Sequence, residues 1–188
     1  MNTLRFNPIP EWNTSNSNKY FNGLSSFCQV VSSELERKEP LIMCEIGSYM
    51  GESTFIFASQ LIFDEIHCID PYNGLEEFND ISDRKWVDVE KEFKINTRYF
   101  NNIILHKEYC EDAVHKFKDK YFDLIYIDAR HTYSDVKANI ELFLPKCKSI
   151  IAGHDYQEEW PGVVKAVNEI FGAPDMLFED GTWMKRLT

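Results

Sequence analysis

The sequence has no apolar run near the ~18 residues that a membrane-crossing helix needs. It has no Cys-x-x-Cys pair, and its five cysteines (Cys28, Cys44, Cys68, Cys110, Cys147) are scattered and odd in number. That pattern excludes a paired disulfide framework and a zinc knuckle, and it fits a reducing cytoplasm. Positive charge is scarce: 20 Lys and Arg stand against 31 Asp and Glu, a formal net charge of −11. Such a chain repels phosphate backbones and anionic membranes, so neither nucleic acid nor a lipid surface is an expected partner. Met1 to Pro10 carries no basic stretch followed by an apolar one, so no signal peptide is expected. There is no internal repeat and no long low-complexity tract. A length of 188 residues suits one domain, and 44% hydrophobic residues suffice for a core.

The first forty residues differ from the rest. Residues 13–18 are a polar breaker cluster. Tyr20 to Leu35 then spaces Phe21, Leu24, Phe27, Cys28, Val31 and Leu35 at helical intervals. This suggests a helical arm over 1–40 ahead of a main domain over 41–188. The arm lacks a basic face, so it is a packing element rather than a membrane anchor. It could also lid a site, or pair between two copies of the chain.

From residue 41 the text alternates. Short apolar runs at 41–47, 65–70, 102–106, 121–128 and 148–153 read as strands. Helical patterns fall at 52–63, 83–99, 111–118, 133–144 and 161–171, the last with Pro161 at its first position. Two further strands, 176–179 and 182–187, flank the Asp180-Gly181 turn signal. Fivefold strand–helix alternation predicts an α/β fold: a Rossmann-like, doubly wound, seven-stranded mixed sheet whose last strand is antiparallel.

In open sheets of this kind, ligands bind beyond the carboxyl ends of the strands. Those ends carry Glu45-Ile-Gly-Ser-Tyr-Met-Gly51, Asp70, Glu108 to Glu111, Asp128 to His131, and His154-Asp155. One acid at a strand end merely begins a loop. Acids at four of five ends point to chemistry. Gly47 allows a sharp turn and backbone contact with a ligand, and Gly51 lets the next helix start close to the sheet. Tyr49 breaks the Gly-x-Gly-x-x-Gly dinucleotide pattern, which argues against a nicotinamide-dependent dehydrogenase. Asp70 stands where an acid takes two ribose hydroxyls. A nucleoside ligand without a pyrophosphate follows, against the plainer view of a turn glycine and a capping acid.

Glu45-Ile-Gly-Ser-Tyr-Met-Gly-Glu-Ser53 resembles motif I of the class I S-adenosylmethionine-dependent methyltransferases. Asp128-Ala-Arg-His131-Thr-Tyr133 and Ala152-Gly-His-Asp-Tyr156, followed by Pro161 to Gly172 and Gly181-Thr-Trp183, resemble one subgroup of them. That subgroup comprises small-molecule O-methyltransferases similar to macrocin O-methyltransferase and to the proteins called cephalosporin hydroxylases. The likeness spans 41–188, and residues 1–40 lie outside it.

The resemblance implies S-adenosylmethionine as cofactor and a small-molecule acceptor. Glu45 and Gly47 would line the methionine end, with Ser48, Gly51 and Ser53 beside it. Asp70 would hold the ribose and the Cys110 backbone the adenine edge. Asp128 would sit near the transferred methyl. Asp128 and Asp155 match the Mg²⁺ ligands of metal-dependent relatives, whereas His154 replaces an acid common there. An imidazole suits Mn²⁺, Fe²⁺ or Zn²⁺ better. Two routes to a deprotonated acceptor stay open: a metal on Asp128 and Asp155, or His131 or His154 as general base. A plainer role for His131 is to cap its helix or bond Asp128. A nucleoside-binding module without turnover is the other function class, though it would not need Asp128, His131, His154 and Asp155.

Overall fold

The computed structural model describes residues 15–35, 40–73 and 86–187. Seven strands form one sheet in the order β3-β2-β1-β4-β5-β7-β6. They are β1 (Ile42–Ile46), β2 (Glu65–Ile69), β3 (Ile103–His106), β4 (Phe122–Ile127), β5 (Cys147–Gly153), β6 (Met176–Leu177) and β7 (Trp183–Arg186). The helices are α1 (Ser15–Glu34), α2 (Glu52–Ser59), α3 (Trp86–Thr97), α4 (Cys110–Ala113), α5 (Tyr133–Phe143) and α6 (Pro161–Phe171). The fold is Rossmann-like, as the alternation predicts.

β1 and β4 lie at the centre and are covered on both faces, so they read as continuous apolar runs rather than as alternations. One face of the sheet packs on α1, α2 and α3 through Leu24, Phe27, Ile56, Phe57, Val89 and Phe93. The other packs on α4, α5 and α6 through Ala113, Val136, Ile140, Val163 and Val167. The parallel register places the strand ends level. Ile46 pairs with both Ile69 and Ile127, and Ile127 pairs with Gly153. Residues 47, 70, 128 and 154 therefore share one rim. The chain reverses its direction of growth between β1 and β4, the switch point at which open sheets hold ligands.

Several boundaries differ from the sequence expectation. The apolar pattern suggested a helix through Phe63, but α2 stops at Ser59; Leu61 turns left-handed at φ 56° and redirects buried Ile62 and Phe63 into the core. The 111–118 helix is a single turn, α4, continued as a 3₁₀ turn over Val114–Lys116. Phe117 is extended and buried there, which ends the helix. The closing hairpin does form an antiparallel edge, but out of chain order: β7 inserts between β5 and β6, antiparallel to both, and β6, only two residues long, is the outermost strand. The first residues of the 83–99 helix, 83–85, lie outside the described residues.

α1 shares the sheet's core. Leu24, Phe27, Cys28 and Val31 are buried on it, and the Arg186 Nε donates to Glu34 at 2.9 Å. A Cβ on Gly23 would stand 2.2 Å from the Asp180 carboxyl, so only glycine lets α1 settle on the β6–β7 turn. Most of the arm's apolar stripe is thus buried within the chain, while Phe21 stays exposed. Among the described residues no helix is long and apolar enough to cross a membrane.

Candidate active site

Gly47 ends β1 at φ +86°, and a Cβ there would meet the Asp128 carbonyl oxygen at 2.2 Å. The ends of β1 and β4 therefore touch backbone to backbone, which a side chain would forbid. Gly51, also left-handed at φ 79°, caps α2.

Glu45 is fully buried beneath this turn. It accepts from Ser53 Oγ at 2.5 Å and from the Thr54 hydroxyl, with the Cys68 thiol 3.6 Å away. Burial pushes its carboxyl up to about 7, against the hydroxyls that stabilise the charge. Ser48 is buried and shares a 3.1 Å hydrogen bond with the Tyr72 hydroxyl. Asp70 accepts from the Tyr49 and Tyr72 amides, both at 2.9 Å. Burial raises its pKa, and those amides oppose the rise. Glu45 and Asp70 thus fix the two loops that line the first half of the rim. The Cys110 thiol donates to Asn139 Oδ1 at 3.0 Å, and burial pushes it up to about 12. It is a neutral packing group at the start of α4.

The second half of the rim is a chain of charges. His131 Nε2 lies 2.9 Å from Asp155 Oδ2 and 3.7 Å from Asp128 Oδ1. Asp155 Oδ1 lies 3.1 Å from His154 Nδ1. His154 Nε2 lies 3.7 Å from Asp180 Oδ2; it is buried and makes no hydrogen bond among the described residues. Burial alone would lower both histidines, but their carboxylate neighbours outweigh it. His131 rises to about 10 through Asp128 and Asp155, and His154 to about 9 through Asp128, Asp155 and Asp180. Asp155 resists the rise that burial would cause, because the two imidazoles hold it well below the usual carboxylate range. Its backbone is left-handed at φ 62°, uncommon for a residue with a side chain and frequent at functional sites.

Asp128, His131 and Asp155 offer three ligand atoms within 4.8 Å of one another. The sequence pointed to Asp128 and Asp155 alone as metal ligands; the structure adds His131. Trp160, exposed after β5, sets its ring 4.4 Å from that of His131 and walls this side. Trp183 is core, 1% exposed. His67 is buried, hydrogen-bonded to His106 at 2.9 Å and to Glu65 at 3.2 Å, a satisfied pair away from the rim.

Two members of the site escaped sequence reasoning. Asp180 was a turn signal only; the structure buries it and ties it to Thr182 and His154. Tyr20 only opened the expected N-terminal helix; the structure sets its ring edge-on to His154, centroids 5.1 Å apart. Neither carries a motif, because both reach the rim through tertiary packing.

Residues 44–156 match the sequence profile of a family described as "Methyltransferase domain". A curated relative, the uncharacterized protein y4gI of Sinorhizobium fredii, is 28% identical over 122 residues; these make up 62% of this chain and only 13% of that protein. The chain thus spans about an eighth of the relative's length. Its fold resembles that of CalS11, a TDP-rhamnose 3'-O-methyltransferase of calicheamicin biosynthesis, with TM-score 0.63 and 16% identity over 96% of this chain and 84% of that one. It also resembles an O-methyltransferase from Bacillus cereus in complex with SAH, with TM-score 0.57 and 15% identity over 93% and 81%. The profile match covers more than half of the sequence and includes β1, β2, β4 and β5 with the rim they carry: the chain belongs to the methyltransferase-domain family.

Proposed function

We propose that the protein transfers the methyl group of S-adenosylmethionine to a hydroxyl oxygen of a small molecule. The observation that carries this is the sharing of one rim. A nucleoside-suited half (Gly47, Asp70) abuts an acid–imidazole half (Asp128, His131, Asp155, His154) at the switch between β1 and β4. A binding module needs only the first half.

In the reaction an acceptor oxygen lone pair forms the new C–O bond. The S–C bond breaks with its electrons left on sulfur, giving S-adenosylhomocysteine, and the hydroxyl proton passes to a base. Much of the acceleration comes from alignment, which supplies roughly 7–11 kcal/mol in well-oriented systems. His131 is the better-placed base, since its side chain is 27% exposed and that of His154 12%. With a pKa of about 10 it is protonated in the free protein. A sulfonium beside Asp128 disfavours that second positive charge, so cofactor binding shifts His131 toward its proton-accepting form. His154, clamped between Asp155 and Asp180, orients Asp155.

Asp128, His131 and Asp155 also fit a divalent cation. Two carboxylates and an imidazole suit Mn²⁺, Fe²⁺ or Zn²⁺ better than Mg²⁺. Bound there, the cation would lower the pKa of the acceptor hydroxyl.

The test is incubation with methyl-labelled S-adenosylmethionine and a panel of glycosides and phenols, with and without Mn²⁺. Label on an acceptor oxygen together with S-adenosylhomocysteine supports the proposal. Absence of transfer to every acceptor from protein that binds the cofactor refutes it.

A further inference from the structure

The helix that precedes the family profile sends a side chain into the rim. Tyr20 stands on α1, with its ring edge-on to His154 at an interplanar angle of 76°. Its hydroxyl meets that of Ser53, and it lies within electrostatic reach of Asp128, Glu45 and Glu52. Those groups belong to the end of β1, the first turn of α2 and the end of β4; His154 follows β5. A single phenol therefore spans the distance from the cofactor-suited half of the rim to the acid–imidazole half. It cannot swing freely. Leu24, Phe27, Cys28 and Val31 bury the same helix, Gly23 abuts Asp180, and Glu34 pairs with Arg186. Its neighbours Lys19, Phe21 and Asn22 are exposed, so Tyr20 is the inward-facing residue of that turn.

Resting on the methyl-transfer reading, we infer that Tyr20 is a positioning residue that lays its hydroxyl oxygen against the methyl-bearing sulfonium of the cofactor. The methyl must lie between the two halves of the rim, and that is where the phenol stands. Burial, then the charges of Asp128, Glu45 and Glu52, keep the phenol well above its ordinary pKa of 10, so it is a neutral hydroxyl rather than a base. A neutral oxygen can accept a contact from the polarised methyl C–H groups. The contact is lost when the methyl leaves. Tyr20 thereby favours substrate cofactor over product, and α1 is part of the transfer chamber.

Calorimetric titration of the whole protein with three probes tests this: S-adenosylmethionine, S-adenosylhomocysteine, and sinefungin, which carries a protonated amine where the methyl sits. In Tyr20→Phe, sinefungin should bind about 10-fold more weakly, the worth of a hydrogen bond to a charged group. S-adenosylmethionine should lose roughly 2- to 5-fold, as weak C–H···O contacts are worth. S-adenosylhomocysteine should keep its wild-type affinity. Lys19→Ala, one residue away, should leave all three unchanged, and equal melting temperatures establish that both variants are folded. Equal losses for the three probes, or no loss for any, overturn the inference and leave the methyl-transfer reading standing. If the folded wild-type protein binds none of them, that reading falls and the inference with it.

Discussion

Asp155→Asn tests the charge chain at its centre. The wild-type carboxylate contacts His131 at 2.9 Å and His154 at 3.1 Å, and its side chain is only 10% exposed. Hydrogen bonds to charged groups are worth about 1.5–3 kcal/mol each. The amide keeps one accepting oxygen but no charge, so a net loss of about 2–4 kcal/mol is expected. Asparagine tolerates the left-handed backbone at φ 62°, so no conformational cost is added. In a domain of this size that loss lowers the melting temperature by roughly 4–15 °C. The more direct assay is imidazole titration by NMR. In the wild type His131 and His154 should titrate near their raised values of about 10 and about 9. In the variant both should fall toward the ordinary value of roughly 6.5. Turnover should also fall, because His131 loses the carboxylate that orients it and stabilises its protonated form. Wild-type histidines that titrate near neutrality, or titrations unchanged in the variant, would refute the reasoning.

Gly47→Ala puts a Cβ 2.2 Å from the Asp128 carbonyl at φ +86°. Backbone strain of about 1–2 kcal/mol and overpacking of about 1–3 kcal/mol should lower the melting temperature and weaken S-adenosylhomocysteine binding, both read on the same sample. Gly23→Ala puts a Cβ 2.2 Å from the Asp180 carboxyl, which hydrogen bonds to Thr182 hold in place. It should cost about 1–3 kcal/mol and weaken sinefungin binding by displacing Tyr20. Stability should also fall in alkali. The folded pKa values of His131 and His154 exceed the unfolded value of roughly 6.5, so their contribution is complete below that pH. It is lost as pH climbs through about 9 and about 10. Melting curves across that window should show the loss in the wild type and a smaller one in His131→Gln.

The elements were legible where physical pattern and burial coincide. β4 is buried on both faces and reads as an unbroken apolar run; α6 announces itself by Pro161 and ends at Phe171. The rim residues were legible because strand ends are marked by glycine or an acid, and parallel strands in register bring those ends together. The adjacency of His131 to Asp155 was not, since it crosses from the β4 end to the β5 end. Asp180 and Tyr20 were hidden for the same reason. A turn aspartate and a helical tyrosine carry no signal until β7 inserts beside β5 and α1 lies across the rim. Helix ends such as Ser59 were misplaced because Ile62 and Phe63 continue the apolar pattern from a turn.

The most direct test of the central claim is calorimetric titration of the folded protein with S-adenosylhomocysteine, repeated with Asp70→Ala and with Mn²⁺ present. The account predicts micromolar binding that Asp70→Ala abolishes or severely weakens, through loss of the loop that its carboxylate fixes. Folded protein that takes up no S-adenosylhomocysteine under either condition would contradict it.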